Sequence, residues 1–232
     1  MRIPIASIHQ IELTSRCNLR CRYCAHPKMP RAKLDMTDVI FEKALDWASI
    51  FVRCGLQKEL NLAGIGESTM HPRFVEMLAV ARSHLGWGVD IVLATNGLLM
   101  TDELAQRIAV YRPRVWVSLH RPEKAGPAVE ALKRAGVLAG VSSDPSLAAT
   151  DWAGQVKWHT SHAPGMHCSW VTSGRAFVMA DGRVGTCCLD GRGEDGVMGT
   201  VFDDLRSMRL APYSLCKTCT YKIAPIKQKV AA

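Results

Sequence analysis

Cysteine is the residue type in this chain best suited to chemistry, and there are nine: Cys17, Cys21, Cys24, Cys54, Cys168, Cys187, Cys188, Cys216 and Cys219. Three crowd into the segment CNLRCRYC, five lie in the last third, and Cys54 stands alone between them. Clustering of this kind points to metal rather than disulfides, and an odd count leaves at least one thiol that is not a ligand. The C-x3-C-x2-C spacing of Cys17, Cys21 and Cys24 lets three thiolates of one loop converge on a single polynuclear site. Three is the wrong number for a closed zinc site, which takes four ligands. A four-iron cluster held by three cysteines leaves one iron open to a reactive ligand.

Charge gathers beside the same residues. The 232-residue chain carries a net +8. Residues 1–34 hold seven Lys or Arg against Glu12 alone, a net +6, and from Cys216 onward four Lys face no acid, a net +4. Two readings stay open. The excess either offsets anionic clusters and docks an acidic electron donor, or forms an electrostatic footprint for a phosphate-bearing substrate. A 48% apolar, 22% charged composition excludes a disordered chain. No run of eighteen apolar residues is present, so no membrane span is expected. The opening MRIPIASIHQIELT lacks the apolar core and cleavage site of a secretory signal, so a reducing, cytoplasmic setting is expected.

The elements that must position these groups alternate. Strands are expected at 8–14, 56–64, 89–96, 114–120, 136–143 and 155–160, and helices at 36–53, 72–85, 101–111 and 122–135. Thr37 and Thr101 each precede an acid and read as helix N-caps. The alternation implies βαβ units on a parallel sheet. Six strands are too few to close an eight-stranded barrel, so the expected fold is α/β, a partial (β/α)6 TIM-like barrel over residues 1–163. From 164 to 232 glycines punctuate short runs, and RAFVMADGRVGTCC reads as a β-hairpin turning at Asp181-Gly182. A small module of this kind needs a staple, which its cysteines supply.

The CNLRCRYC loop directly after a first strand resembles the radical S-adenosylmethionine (SAM) superfamily. The resemblance implies that Cys17, Cys21 and Cys24 hold a [4Fe–4S] cluster whose open iron chelates SAM, with Tyr23 near the adenine. LNLAGIGESTMHP is similar to the family's glycine-rich segment, with Gly64, Gly66 and Glu67 in register. Ile65 interrupts the usual glycine pair and Ser68 stands at the usual proline. Ala94-Thr95-Asn96-Gly97 and Val117-Ser118-Leu119 resemble the motifs that end the third and fourth strands, placing Asn96 and Ser118 among the SAM contacts. Cys168-x13-Gly182-x4-Cys187 resembles the opening of the SPASM/Twitch extension, and Cys216 and Cys219 would complete four thiolates for a second, auxiliary [4Fe–4S] cluster. A structural zinc on those four cysteines is the alternative.

Cys188 is left as a hydrogen-atom donor facing substrate or as a buried thiol, because neighbours on a strand point to opposite faces. Cys54 reads as packing, His71 as structural and Trp170 as a cover for the auxiliary cluster. Strand C-termini carry the active sites of such barrels, so His120, Asp144 and His159 are the candidate substrate contacts.

Family resemblance implies the chemistry: reductive cleavage of SAM to methionine and a 5′-deoxyadenosyl radical that removes hydrogen from substrate. Reduced flavodoxin or ferredoxin would supply the electron. Oxidation of a small polar substrate is the favoured outcome. Redox-neutral isomerisation or epimerisation of a modified nucleobase in DNA or RNA, and peptide maturation, are alternatives. A non-enzymatic Fe–S or Zn regulatory module remains a further reading, against which an open iron argues.

Overall fold

The structure, a computed structural model, describes residues 2–142, 151–157 and 168–219. After a two-residue strand β1 (Ile3–Pro4), the chain runs β2 (Ser7–Ile11), α1 (Asp38–Arg53), β3 (Glu59–Asn61), α2 (Phe74–Leu85), β4 (Asp90–Thr95), α3 (Asp102–Ala109), β5 (Arg114–Ser118), α4 (Pro122–Arg134) and β6 (Leu138–Ser142). Strands β2 to β6 pair in parallel in sequence order.

Helix α1 shows why the pattern folds this way. Phe41, Ala44, Leu45 and Ala48 recur at helical spacing and are all buried against the sheet, in one cluster with Ile8, Ile11 and Leu60. Thr37 caps it, accepting from the Ile40 N–H, and Thr101 caps α3 by accepting from Leu104 at 3.1 Å, both as expected. Central β4 buries Ile91, Val92 and Leu93 in succession, as a parallel strand covered on both faces does.

The sixth parallel strand is not where the sequence placed it. Residues 155–157 are not strand, and 158–160 lie outside the described residues. Instead β7 (Arg175–Val178), which follows the short helix α5 (Ser169–Thr172), pairs in parallel with β2, Ile11 facing Val178. Phe177, Val178 and Met179 are fully buried in succession, so this half of the expected hairpin satisfies a core, not a surface module. The hairpin itself is as expected: β8 (Arg183–Gly185) returns antiparallel through Gly182, whose φ of 86° suits glycine. β9 (Val197–Thr200) follows antiparallel to it. The eight-stranded order is thus β6-β5-β4-β3-β2-β7-β8-β9.

Strand β10 (Arg209–Leu210) pairs with β1, Ile3 opposite Leu210. Val178, Val184, Val201 and Leu210 belong to the same core cluster as Ile8 and Leu45. The expected boundary at 163/164 falls outside the described residues, and the segment beyond it continues the barrel's sheet and core. No helix among the described residues is long and apolar enough to cross a membrane.

Candidate active site

The ends of β2, β3, β4 and β5 open on one cavity of about 230 Å³. Its lining includes Cys17, Cys21, Tyr23, Cys24, Gly64, Gly66, Glu67, Asn96, Ser118 and His120, so ten of the residues singled out by the sequence come together. No Lys or Arg lines it among the described residues.

The cysteine loop is clamped at its neck. Ser15 Oγ donates to the Ala32 carbonyl (2.9 Å) and accepts from Leu34 N–H (2.9 Å), while Thr14 Oγ1 donates to Asp35 (2.7 Å). His26 Nε2 lies 3.1 Å from the Ser15 carbonyl, and burial lowers its pKa. Within the loop, the Leu19 and His26 N–H groups donate to the Cys17 and Cys24 sulfurs, each at 3.4 Å. Burial pushes the Cys24 thiol up to about 11 and the Cys17 thiol upward as well, the neighbouring cysteines adding to the effect. Clustered thiols that resist ionisation are a donor set that a cationic metal would deprotonate. Among the described residues no three His, Cys, Asp or Glu converge at the spacing of a single ion. The cysteines of an iron–sulfur cluster ligate different irons, so the set fits a cluster better than a zinc.

The glycine-rich segment is fitted to this loop by contact. A Cβ at Gly64 would collide with the Glu12 side chain, and one at Gly66 with the Thr14 and Arg16 carbonyl oxygens. Glu67 is buried and its carboxylate is occupied. Oε1 accepts from Thr95 Oγ1 (2.7 Å) and Thr69 Oγ1 (2.6 Å), and Oε2 accepts from the Asn96 N–H (2.7 Å). Glu67 thereby locks the loop after β3 to the end of β4. Asn96 Nδ2 donates to Asn18 Oδ1 (2.7 Å), tying β4 to the cysteine loop. The Tyr23 hydroxyl lies 2.7 Å from His120 Nδ1, the rings stacked at 5.6 Å, which joins that loop to β5. His120 is thus placed at the cavity. Asp144 and His159 lie outside the described residues.

Sequence reasoning missed Glu12. It is fully buried, pairs with Arg31 through two contacts of 2.8 and 3.2 Å, and accepts from the Ile65 and Ala180 N–H groups. Arg31 Nε reaches the Gly191 carbonyl (3.4 Å). One ion pair therefore holds the cysteine loop, the glycine segment and the β7–β8 hairpin together. A lone acid between Ile11 and Leu13 in an apolar strand was the available signal. Arg31, counted in the basic flank, is not part of a solvent-facing footprint; Arg20, Arg22, Lys28 and Lys33 are exposed.

Cys168, Cys187, Cys216 and Cys219 gather around a second, apolar cavity of about 20 Å³ with Ala153 and Tyr213. That is room for about one water, so a cluster there would have to part the side chains. The donor set is nonetheless suited to one: the Tyr213 hydroxyl is buried among these sulfurs with no oxygen or nitrogen partner among the described residues. Cys188 lines neither cavity. Strand β8 ends at Gly185, so Cys187 and Cys188 occupy the turn that follows and strand alternation does not separate them. Their side chains interact, and that contact, with burial, drives the Cys187 thiol well upward. Trp170 does not cover this group; its ring meets His9 edge-on at 4.9 Å. Cys54 caps the end of α1 in solvent and does not pack, whereas His71 is structural as expected, bonded to the Met36 carbonyl (3.0 Å).

Comparison with known proteins bears on the same residues. The Radical SAM superfamily matches residues 11–173. A tungsten-containing aldehyde ferredoxin oxidoreductase cofactor-modifying protein of Pyrococcus furiosus is 38% identical over 99 residues, covering 43% of this chain and 26% of that protein. A GTP 3′,8-cyclase of Aquifex aeolicus is 32% identical over 119 residues, covering 50% and 36%. The chain thus spans about a quarter to a third of these relatives' length. Among solved structures, BtrN in complex with AdoMet and 2-DOIA aligns with a TM-score of 0.70 at 17% identity, over 87% of this chain and 80% of that one. Native anSMEcpe with bound AdoMet aligns at 0.60 and 15%, over 84% and 78%. At these identities the likeness is one of fold.

Proposed function

The chain belongs to the radical SAM superfamily, a family of enzymes, and from that premise we propose that it cleaves SAM reductively and oxidises a small polar substrate. The observation that carries the reading is the convergence of Cys17, Cys21, Cys24, Tyr23, Asn96 and Ser118 on one cavity at the strand ends. Cys17, Cys21 and Cys24 would hold a [4Fe–4S] cluster. When bound, that cluster and SAM supply a one-electron cleavage whose 5′-deoxyadenosyl fragment removes hydrogen from substrate.

The chain's own contribution is placement and exclusion of water. Gly64 and Gly66 let the backbone of 64–67 approach the cysteine loop. Glu67 fixes that backbone against Asn96. The Tyr23–His120 contact holds one wall of the site. Cys168, Cys187, Cys216 and Cys219 would hold an auxiliary cluster fully ligated by protein, suited to taking up an electron and so to net oxidation. The absence of Lys and Arg from the described lining argues against a phosphate-bearing or nucleic-acid substrate. Arg20, Arg22, Lys28 and Lys33 offer an acidic flavodoxin or ferredoxin a basic approach to the cysteine loop. 2-DOIA, the compound bound alongside AdoMet in BtrN, is a first small molecule to test for binding. The decisive experiment reduces the anaerobically reconstituted protein with dithionite in the presence of SAM. Methionine and 5′-deoxyadenosine in equal amounts are expected, and absence of 5′-deoxyadenosine would sink the reading.

A further inference from the structure

The turn between β6 and β7 at residues 151–157 joins the two cysteine sites. Trp152 lines the large cavity beside Tyr23, Ser118 and His120, while its neighbour Ala153 lines the small one beside Cys168, Cys187, Cys216 and Cys219. The backbone is left-handed through the same three residues: φ is 50° at Trp152, 58° at Ala153 and 84° at Gly154. Two consecutive non-glycine residues in that region persist only where their surroundings impose it.

The surroundings are specific. Gln155 Nε2 donates to the Trp152 carbonyl and to the Leu189 carbonyl, both at 2.7 Å, and its Oε1 accepts from Gly191 N–H at 3.1 Å. Leu189 and Gly191 follow closely on Cys187 and Cys188. Thr218, between Cys216 and Cys219, donates from Oγ1 to the Ala153 carbonyl at 2.5 Å. The turn is therefore held by both halves of the second cysteine group.

We propose that Trp152 is a binding wall for SAM, and that its place is set by the C-terminal cysteine segment through Gln155 and Thr218. The inference rests on the radical SAM reading and goes beyond it. SAM brings an adenine ring and a sulfonium cation to the cavity, and an indole face attracts both. The second cysteine group then has a structural role in the first site, apart from any electron it handles.

Trp152→Ala, Trp152→Phe and Gln155→Ala are prepared as full-length, anaerobically reconstituted protein. SAM binding is measured by equilibrium dialysis and by the change in the spin-resonance spectrum of the reduced cluster, alongside iron content and melting temperature. Trp152→Ala is expected to weaken SAM about fivefold to thirtyfold, the span from a solvated to a desolvated aromatic–cation contact. Trp152→Phe should recover part of this, and Gln155→Ala should weaken SAM in the same direction with iron content unchanged. Should Trp152→Ala fail to load iron, Trp152→Phe and Gln155→Ala carry the comparison. SAM affinity within twofold of wild type in an iron-replete Trp152→Ala, or a Gln155→Ala that lowers the melting temperature without touching SAM, would overturn the proposal. A wild-type protein that loads iron but binds no SAM would overturn the radical SAM reading beneath it.

Discussion

The two cysteine groups are built in opposite ways. Cys17, Cys21 and Cys24 sit on a loop whose neck is closed by Thr14, Ser15 and His26, which is riveted by Glu12–Arg31 and Asn18–Asn96, and which faces an open cavity of about 230 Å³. The second group lies on turns and the 214–217 helical turn, collapsed on about 20 Å³, with the Tyr213 hydroxyl buried among its sulfurs. Hydrogen bonds tie the first site to the strands of the sheet, so its loop is expected to keep its place without a metal. Among the described residues the second group is tied mainly to turns, through Gln155 and Thr218, so its fold is expected to lean more on what it holds.

Removing the first group's ligands gives the largest expected effect. A Cys17/Cys21/Cys24→Ala triple variant should form no 5′-deoxyadenosine and carry about half the iron of wild type on the two-cluster reading, with its melting temperature nearly unchanged. Residual SAM cleavage would refute the assignment, and wholesale unfolding would refute the claim that the loop is pre-organised.

The buried ion pair comes next. Arg31→Met leaves the Glu12 carboxylate buried and uncompensated, which is expected to cost about 3–5 kcal/mol in denaturant unfolding. Because Glu12 also accepts from Ala180, loosening should reach the β7–β8 hairpin and show as faster amide exchange there. Exchange confined to residues 12–35 would mean the pair does not couple the two regions.

A smaller, local effect distinguishes Cys187 from its neighbour. Cys187→Ala should expose the turns around 186–192 and 213–219 to protease, with buried β7 still protected, while leaving SAM cleavage measurable. Cys188→Ala, which lines neither cavity, should cost about 1 kcal/mol or less. An exchange of these two outcomes would put the ligand register off by one residue.

What the sequence made legible is short-range. A C-x3-C-x2-C run can close only a small loop, Thr before Asp caps a helix whatever surrounds it, and the Asp181-Gly182 turn needs a glycine at φ 86°. These features follow from a few consecutive residues, so spacing and residue type carried them, together with the alternation of strands and helices. The placement of Cys17, Asn96, Ser118 and His120 around one cavity then followed from their shared position at strand ends. Pairings between distant segments were decided by the tertiary structure alone. Nothing local in residues 175–178 says that they lie beside 7–11 rather than forming a free hairpin; burial of Phe177 and Val178 in the common core selects that partner. Nothing local marks Glu12 and Arg31 as a pair: a lone acid in an apolar strand hints at burial, but not at which cation it meets. Nothing local marks Trp152 for the first site's cavity; it comes there in a turn where Gln155 reaches Leu189 and Thr218 reaches Ala153, across 34 and 65 residues. Chain entropy makes contacts at such separations costly, so they form only when the whole fold repays them.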